Sequence, residues 1–142
     1  MDQQQIVEWI RTLPQVQESE AWGYQFFFVG DDHHRPFATL ADSDNEYDQS
    51  SQLHREGVFR INVGVRRETF EAMFPKPADS NTASSASERD YTVLNQFLPH
   101  PDYAAQHFLC VLNPEGDNVE LLQQFVREAH ALATERLLRK RG

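Results

Sequence analysis

A chain of 142 residues, 39% hydrophobic and 11% aromatic with ten Phe, has apolar mass for one core and little room for two. Its formal net charge of -9, from 22 acidic and 13 basic side chains, repels phosphate backbones and disfavours general nucleic-acid binding. A single cysteine, Cys110, excludes an internal disulfide, and no apolar run reaches the ~20 residues of a membrane span.

Asp2 is placed to cap a first helix in which Ile6, Trp9, Ile10 and Leu13 recur at helical spacing until Pro14. The opening Met-Asp-Gln-Gln-Gln lacks the basic and apolar regions of a signal peptide, so the expected location is the cytoplasm. Trp22–Val29 reads as a strand with Tyr24, Phe26 and Phe28 on one face and Phe27 and Val29 on the other. A polar turn, Gly30 to His34, joins it to a second strand over Pro36–Ala41, and the two are expected to pair as a hairpin.

Asp42 to Glu56 is polar and unperiodic, which predicts a long loop. Asp42, Asp44, Glu46 and Asp48 alternate as calcium ligands do, but Tyr47 and Leu53 stand where a calcium loop needs Gly and Glu. A metal-assisted hydrolase using His33 and His34 with these acids is a further alternative, although adjacent histidines on a tight turn point apart. Gly57–Val65 is the cleanest strand. Phe59, Ile61, Val63 and Val65 face the expected core, and Val58, Arg60, Asn62 and Gly64 the other side.

Phe70, Met73 and Phe74 predict a short helix ended by Pro75. Residues 75–89 are low in complexity and without a large apolar side chain, as in a flexible surface excursion. Asp90 is expected to cap another short helix carrying Leu94, Phe97 and Leu98. Phe108–Leu112 is then a last strand, with Cys110 as a small buried hydrophobe. Asp117 and Glu120 match a capping box for the closing helix, whose stripe is Leu122, Phe125, Val126, Ala129, Leu132, Ala133 and Leu137. Arg136, Arg139, Lys140 and Arg141 suit the negative end of its dipole. The sum is a single α+β domain over residues 1–142, with about four mainly antiparallel strands flanked by the terminal helices.

Arg60 and Asn62 are the leading ligand-binding candidates, standing on a rigid strand where Gly64 admits a close approach. His100, fixed between Pro99 and Pro101, and nearby Tyr103 are the other candidates. No Gly-rich phosphate cradle, nucleophile elbow or HExxH accompanies them, so the expected role is a non-catalytic ligand- or protein-binding module without a cofactor. A homodimer through exposed sheet edges fits a domain of this kind.

Pro36-Phe37-Ala38-Thr39, Arg55-Glu56-Gly57-Val58-Phe59-Arg60-Ile61-Asn62-Val63-Gly64-Val65 and Leu98-Pro99-His100-Pro101-Asp102-Tyr103 together resemble an uncharacterised bacterial family of small cytoplasmic proteins. That resemblance implies fold and size and carries no catalytic residue. The opening helix ending in Leu13-Pro14, a Pro-x-Tyr element before a strand and the closing helix are similar to those of MmcQ/YjbR-like proteins. This second likeness implies a compact α+β fold and, as an alternative function, double-wing nucleic-acid binding.

Overall fold

In a computed structural model that describes residues 1–21, 23–31, 33–43, 51–75 and 90–141, Asp2 opens the first helix, α1 (Gln3–Ile10). Its carboxylate accepts from the Gln5 amide at 2.8 Å while the Gln5 side chain accepts from the Asp2 amide at 2.9 Å. Such a box satisfies two donors the helix would otherwise leave bare. Ile6, Val7 and Ile10 point into the core.

Among the described residues the sheet has six strands, two more than the sequence predicts: β1 (Val16–Ala21), β2 (Tyr24–Val29), β3 (Ala38–Ala41), β4 (Arg60–Gly64), β5 (Leu98–Pro99) and β6 (Phe108–Leu112). Their spatial order is β1-β2-β3-β4-β6-β5, and every neighbouring pair is antiparallel. The expected β2–β3 hairpin forms, with Phe26 opposite Thr39, and Thr39 in turn stands opposite Asn62 of β4. Two elements differ from expectation. β1 is an added edge strand. The segment after Asp90 is turns followed by β5, not a helix: the Asp90 carboxylate accepts from the Thr92 amide, closing a local turn that competes with helix formation.

The alternation read from the sequence sorts the sheet into two faces. On one, Phe27, Val29, Leu40, Ile61, Val63, Leu109 and Val111 meet α1 and the closing helix α3 (Asp117–Arg141). From α3 come Leu122, Phe125, Val126, Ala129 and Leu137. Each fully buried side chain of this size contributes roughly 1.5–3 kcal/mol, so this layer supplies most of the driving force for folding. The short helix α2 (Arg67–Met73) is tied to α3 through Glu128, whose carboxylate accepts from the Arg66 amide at 2.9 Å and the Thr69 hydroxyl at 2.7 Å. An acid on one helix thus occupies the positive end of another. Asp117 and Glu120 lie inside the first turn of α3, where they face that helix's own positive end.

Among the described residues, the helices pack on the first face and not on the second. Part of the second face is roofed by chain from 51–58 and 91–98: Leu53 and Val58 pack with Ala41 and Leu112, and Tyr91 and Leu98 with Cys110. Arg60 lies under this roof at 0% exposure, donating from Nη1 to the Ser51 hydroxyl at 3.1 Å. The expected alternation of β4 is present, but the side on which Arg60 was to be displayed is closed over it.

At the sheet's outer edge Glu18 of β1 accepts from Arg11 Nε at 2.7 Å, Arg11 Nη2 at 3.1 Å and Gln25 Nε2 at 2.6 Å. The Arg11 hydrogen bond, against the opposing effect of burial, holds the Glu18 carboxyl below the ordinary carboxylate range. A depressed carboxylate contributes stability above its unfolded pKa and loses it as pH falls through the folded value. Glu18→Gln should therefore flatten the acid limb of the stability curve and lower stability slightly at neutral pH, as read by urea melts across acid to neutral pH. An acid limb identical to that of the parent chain would show that the pair is idle. Because Arg11 is largely exposed, the effect should shrink in high salt.

Candidate functional site

The part of the second face that this roof does not reach begins with aromatics. Tyr24, Phe26 and Phe28 alternate along β2, with ring centroids 6.0 Å and 6.3 Å apart, and His33 stacks on Phe28 at 4.6 Å and 10°. Period-2 spacing places these rings in one stripe, away from the helices. Beside the stripe a cavity of about 780 Å³ opens, large enough for a drug-sized organic ligand.

Tyr24, Phe26, Phe108 and Tyr103 supply its aromatic wall, while Thr39, Asn62, His100 and Asp102 supply polar atoms. His34, Arg35 and Arg136 bring cations to it. Two elements shape this wall. Gly64 of β4 stands opposite Phe108 in the β4–β6 register. A Cβ on Gly64 would lie 2.8 Å from Phe108 Cε2, so the bare backbone is what lets that ring lie flat against the sheet. The second element is the turn through Pro101. The backbone amides of Asp102 and Tyr103 both donate to His100 Nδ1, at 3.0 and 3.1 Å. Nδ1 is thus an acceptor, which assigns the neutral ring with its proton on Nε2. The Tyr103 ring packs 4.9 Å from His100 and remains 56% exposed at the rim.

Asn62 is 1% exposed and donates from Nδ2 to the Thr39 hydroxyl at 2.9 Å. Its Oδ1 is buried and, among the described residues, has no hydrogen-bond partner. An unmatched buried acceptor costs about 1–3 kcal/mol, so a group placed here is held against a stability penalty.

Of the four candidates, Asn62, His100 and Tyr103 share the cavity wall, and Arg60 stands outside it as a buried strut. Arg35, Arg136, Tyr24 and Phe26 were missed as site residues. The Tyr-x-Phe-x-Phe alternation is visible in the sequence, whereas Arg136 looks there like a dipole partner, because nothing in a helix sequence shows which loop its end will meet. The adjacent histidines do diverge: His33 hydrogen-bonds Gln17 Oε1 at 2.6 Å and His34 lines the cavity. Among the described residues, no three His, Cys, Asp or Glu side chains are grouped to hold a metal, and Asp44, Glu46 and Asp48 lie outside those residues, as does the segment 76–89. Nor, among the described residues, is any helix long and apolar enough to cross a membrane.

A family of unknown function, DUF6194, matches residues 1–142, and the chain belongs to that family. No curated protein matches it. A crystal structure of a protein from Pseudomonas syringae is similar over 94% of this chain and 99% of that one, with a TM-score of 0.59 and 17% identity. That likeness concerns the fold.

Proposed function

We propose that this member of the DUF6194 family is a non-catalytic binding module that takes a small organic molecule into the cavity between the aromatic stripe and the His100 turn. The observation that carries the reading is Asn62 Oδ1, an acceptor without a partner among the described residues, in a residue of the cavity wall. Turned from its buried position toward the cavity, that oxygen would accept a ligand N–H or O–H and recover the lost hydrogen bond while the ligand's flat face lies on Phe26 and Phe108. The cytoplasmic, bacterial setting and the MmcQ/YjbR-like architecture are part of this proposal, supported by the sequence motifs described above. The double-wing nucleic-acid alternative has less behind it, since the net charge is -9 and the cavity is concave.

A thermal-shift screen of small aromatic and heteroaromatic compounds tests the proposal, because a ligand at a hundredfold excess over its Kd stabilises by about 2.7 kcal/mol. Asn62→Leu separates binding from folding. It removes the unmatched oxygen together with the Thr39 hydrogen bond, two changes of about 1 kcal/mol and opposite sign, so the free protein should melt near its original temperature. The shift given by a screening hit should fall in that variant. Hits that survive Asn62→Leu unchanged, or a screen in which no compound moves the transition, would remove the assignment.

A further inference from the structure

Among the described residues, the arginines have partners almost everywhere except at the cavity. Arg11 pairs with Glu18 at 2.7 Å, Arg66 with Glu135 at 3.0 Å and Arg67 with Glu71 at 3.2 Å. Arg127 lies 5.3 Å from the centre of the Trp9 ring, and Arg55 donates to the carbonyls of Ser51 and Thr92 at 3.0 Å each. Arg60 donates to the Ser51 hydroxyl and Arg139 to the Glu135 carbonyl, so among the described residues an arginine without any such partner is the exception. Arg35 and Arg136 are such exceptions: both line the cavity, and among the described residues neither makes an ion pair or a hydrogen bond.

Their proximity is unfavourable in the free protein. Burial first, then the positive charge of Arg35, then Arg139 and Arg66, press the Arg136 guanidinium below its ordinary pKa. Like charges are held together beside a concave aromatic wall, with His34 next to them. Asp102, the cavity's carboxylate, belongs to the turn that carries His100 and Tyr103 and is ion-paired to neither arginine. The lining is therefore polarised, with guanidinium groups supplied by the β2–β3 turn and α3, and an acid and amide oxygen elsewhere on the wall.

We infer that the ligand is an aromatic carboxylate, its acid group held by Arg35 and Arg136, its ring on Phe26 and Phe108, and a donor group turned to Asn62. A guanidinium fork matches a carboxylate in bidentate fashion, and an arriving anion removes the repulsion between the two cations. This inference rests on the cavity reading above and adds the charge and class of its occupant.

Isothermal titration of the full chain with naphthoate, its neutral amide naphthamide and inorganic phosphate tests it. Naphthoate should bind about tenfold more tightly than naphthamide, an advantage expected of a charge-assisted hydrogen bond at a partly exposed site, and the advantage should decline with salt. Arg136→Gln should erase the difference between the two probes. Arg136→Lys should restore part of it, since charge returns without the fork. Free Arg136→Gln should melt no lower than the parent, because a mutually repelled cation has been removed.

Equal affinity for naphthoate and naphthamide would overturn the anion and leave the cavity standing. Phosphate binding as tightly as naphthoate would overturn the aromatic class in favour of a bare anion site. If neither aromatic probe binds, both this inference and the cavity reading fall.

Discussion

Replacing Arg60 with alanine should lower the melting temperature by roughly 10 °C and leave the affinity for cavity probes within about twofold. Arg60 is the largest of the fully buried side chains, and it is polar. Its removal opens a hole beneath the roof formed by Leu53 and Val58 and takes from the Ser51 hydroxyl its Nη1 donor. Losing that much buried volume costs about 2–5 kcal/mol, and a buried polar group left unmatched adds about 1–3 kcal/mol, so a total near 3 kcal/mol is a low estimate. The surrounding segments are loops and can partly collapse, which keeps the figure from the top of the range. Because Arg60 is outside the cavity lining, titration of the folded variant with naphthoate below its transition should resemble that of the parent. Unaltered melting combined with abolished probe binding would reverse the assignment and make Arg60 the ligand contact that the sequence first suggests.

The second large effect belongs to Gly64. An alanine Cβ would lie 2.8 Å from Cε2 and 2.9 Å from Cζ of Phe108, distances that ordinary packing does not tolerate. β4 is a central strand held between β3 and β6, so its backbone has little freedom to retreat. The ring must tilt away from the sheet, which is toward the cavity it lines. Alanine in place of an extended glycine would by itself gain about 0.5–1 kcal/mol from backbone entropy, whereas overpacking costs about 1–3 kcal/mol. The clash wins. Gly64→Val, with two further methyl groups, should destabilise by about 3 kcal/mol and reduce naphthoate affinity severalfold. Truncating the ring removes the obstacle, so Gly64→Ala in a Phe108→Ala background should cost much less than in the parent. A double-mutant cycle with no coupling between the two positions would show that the ring does not depend on the glycine.

Much of this architecture can be read from the chain because burial imposes a period on residues. Phe59, Ile61, Val63 and Val65 had to share a face, and Ile6, Ile10, Leu122 and Phe125 had to meet it. The added strand β1 carries no such signal. Val16-Gln17-Glu18-Ser19-Glu20-Ala21 is exposed along most of its length, and its pairing depends on a neighbour's backbone, not on its own side chains. β5 is only Leu98-Pro99, at the opposite edge, where proline's missing N–H leaves the ladder intact; the apolar spacing of Leu94, Phe97 and Leu98 resembles a helix turn although Leu94 is exposed. For the site, alternation could say which side of β4 Arg60 and Asn62 occupy, but not whether distant chain would roof that side. The roof comes from turns around Leu53 and Tyr91, whose paths are set by tertiary contact. That is why Arg60 went under cover while Asn62, two residues on, met a cavity.

The edge strand carries its own consequence for how copies of this protein meet. Glu18 and Glu20 occupy the rim of the sheet with Ser19 between them. An antiparallel strand-to-strand dimer centred on Ser19 would set Glu18 of one copy directly across from Glu20 of the other, twice over. Like charges opposed in that way weaken a ladder, so the rim is guarded at neutral pH against the sheet extension that open β-edges invite.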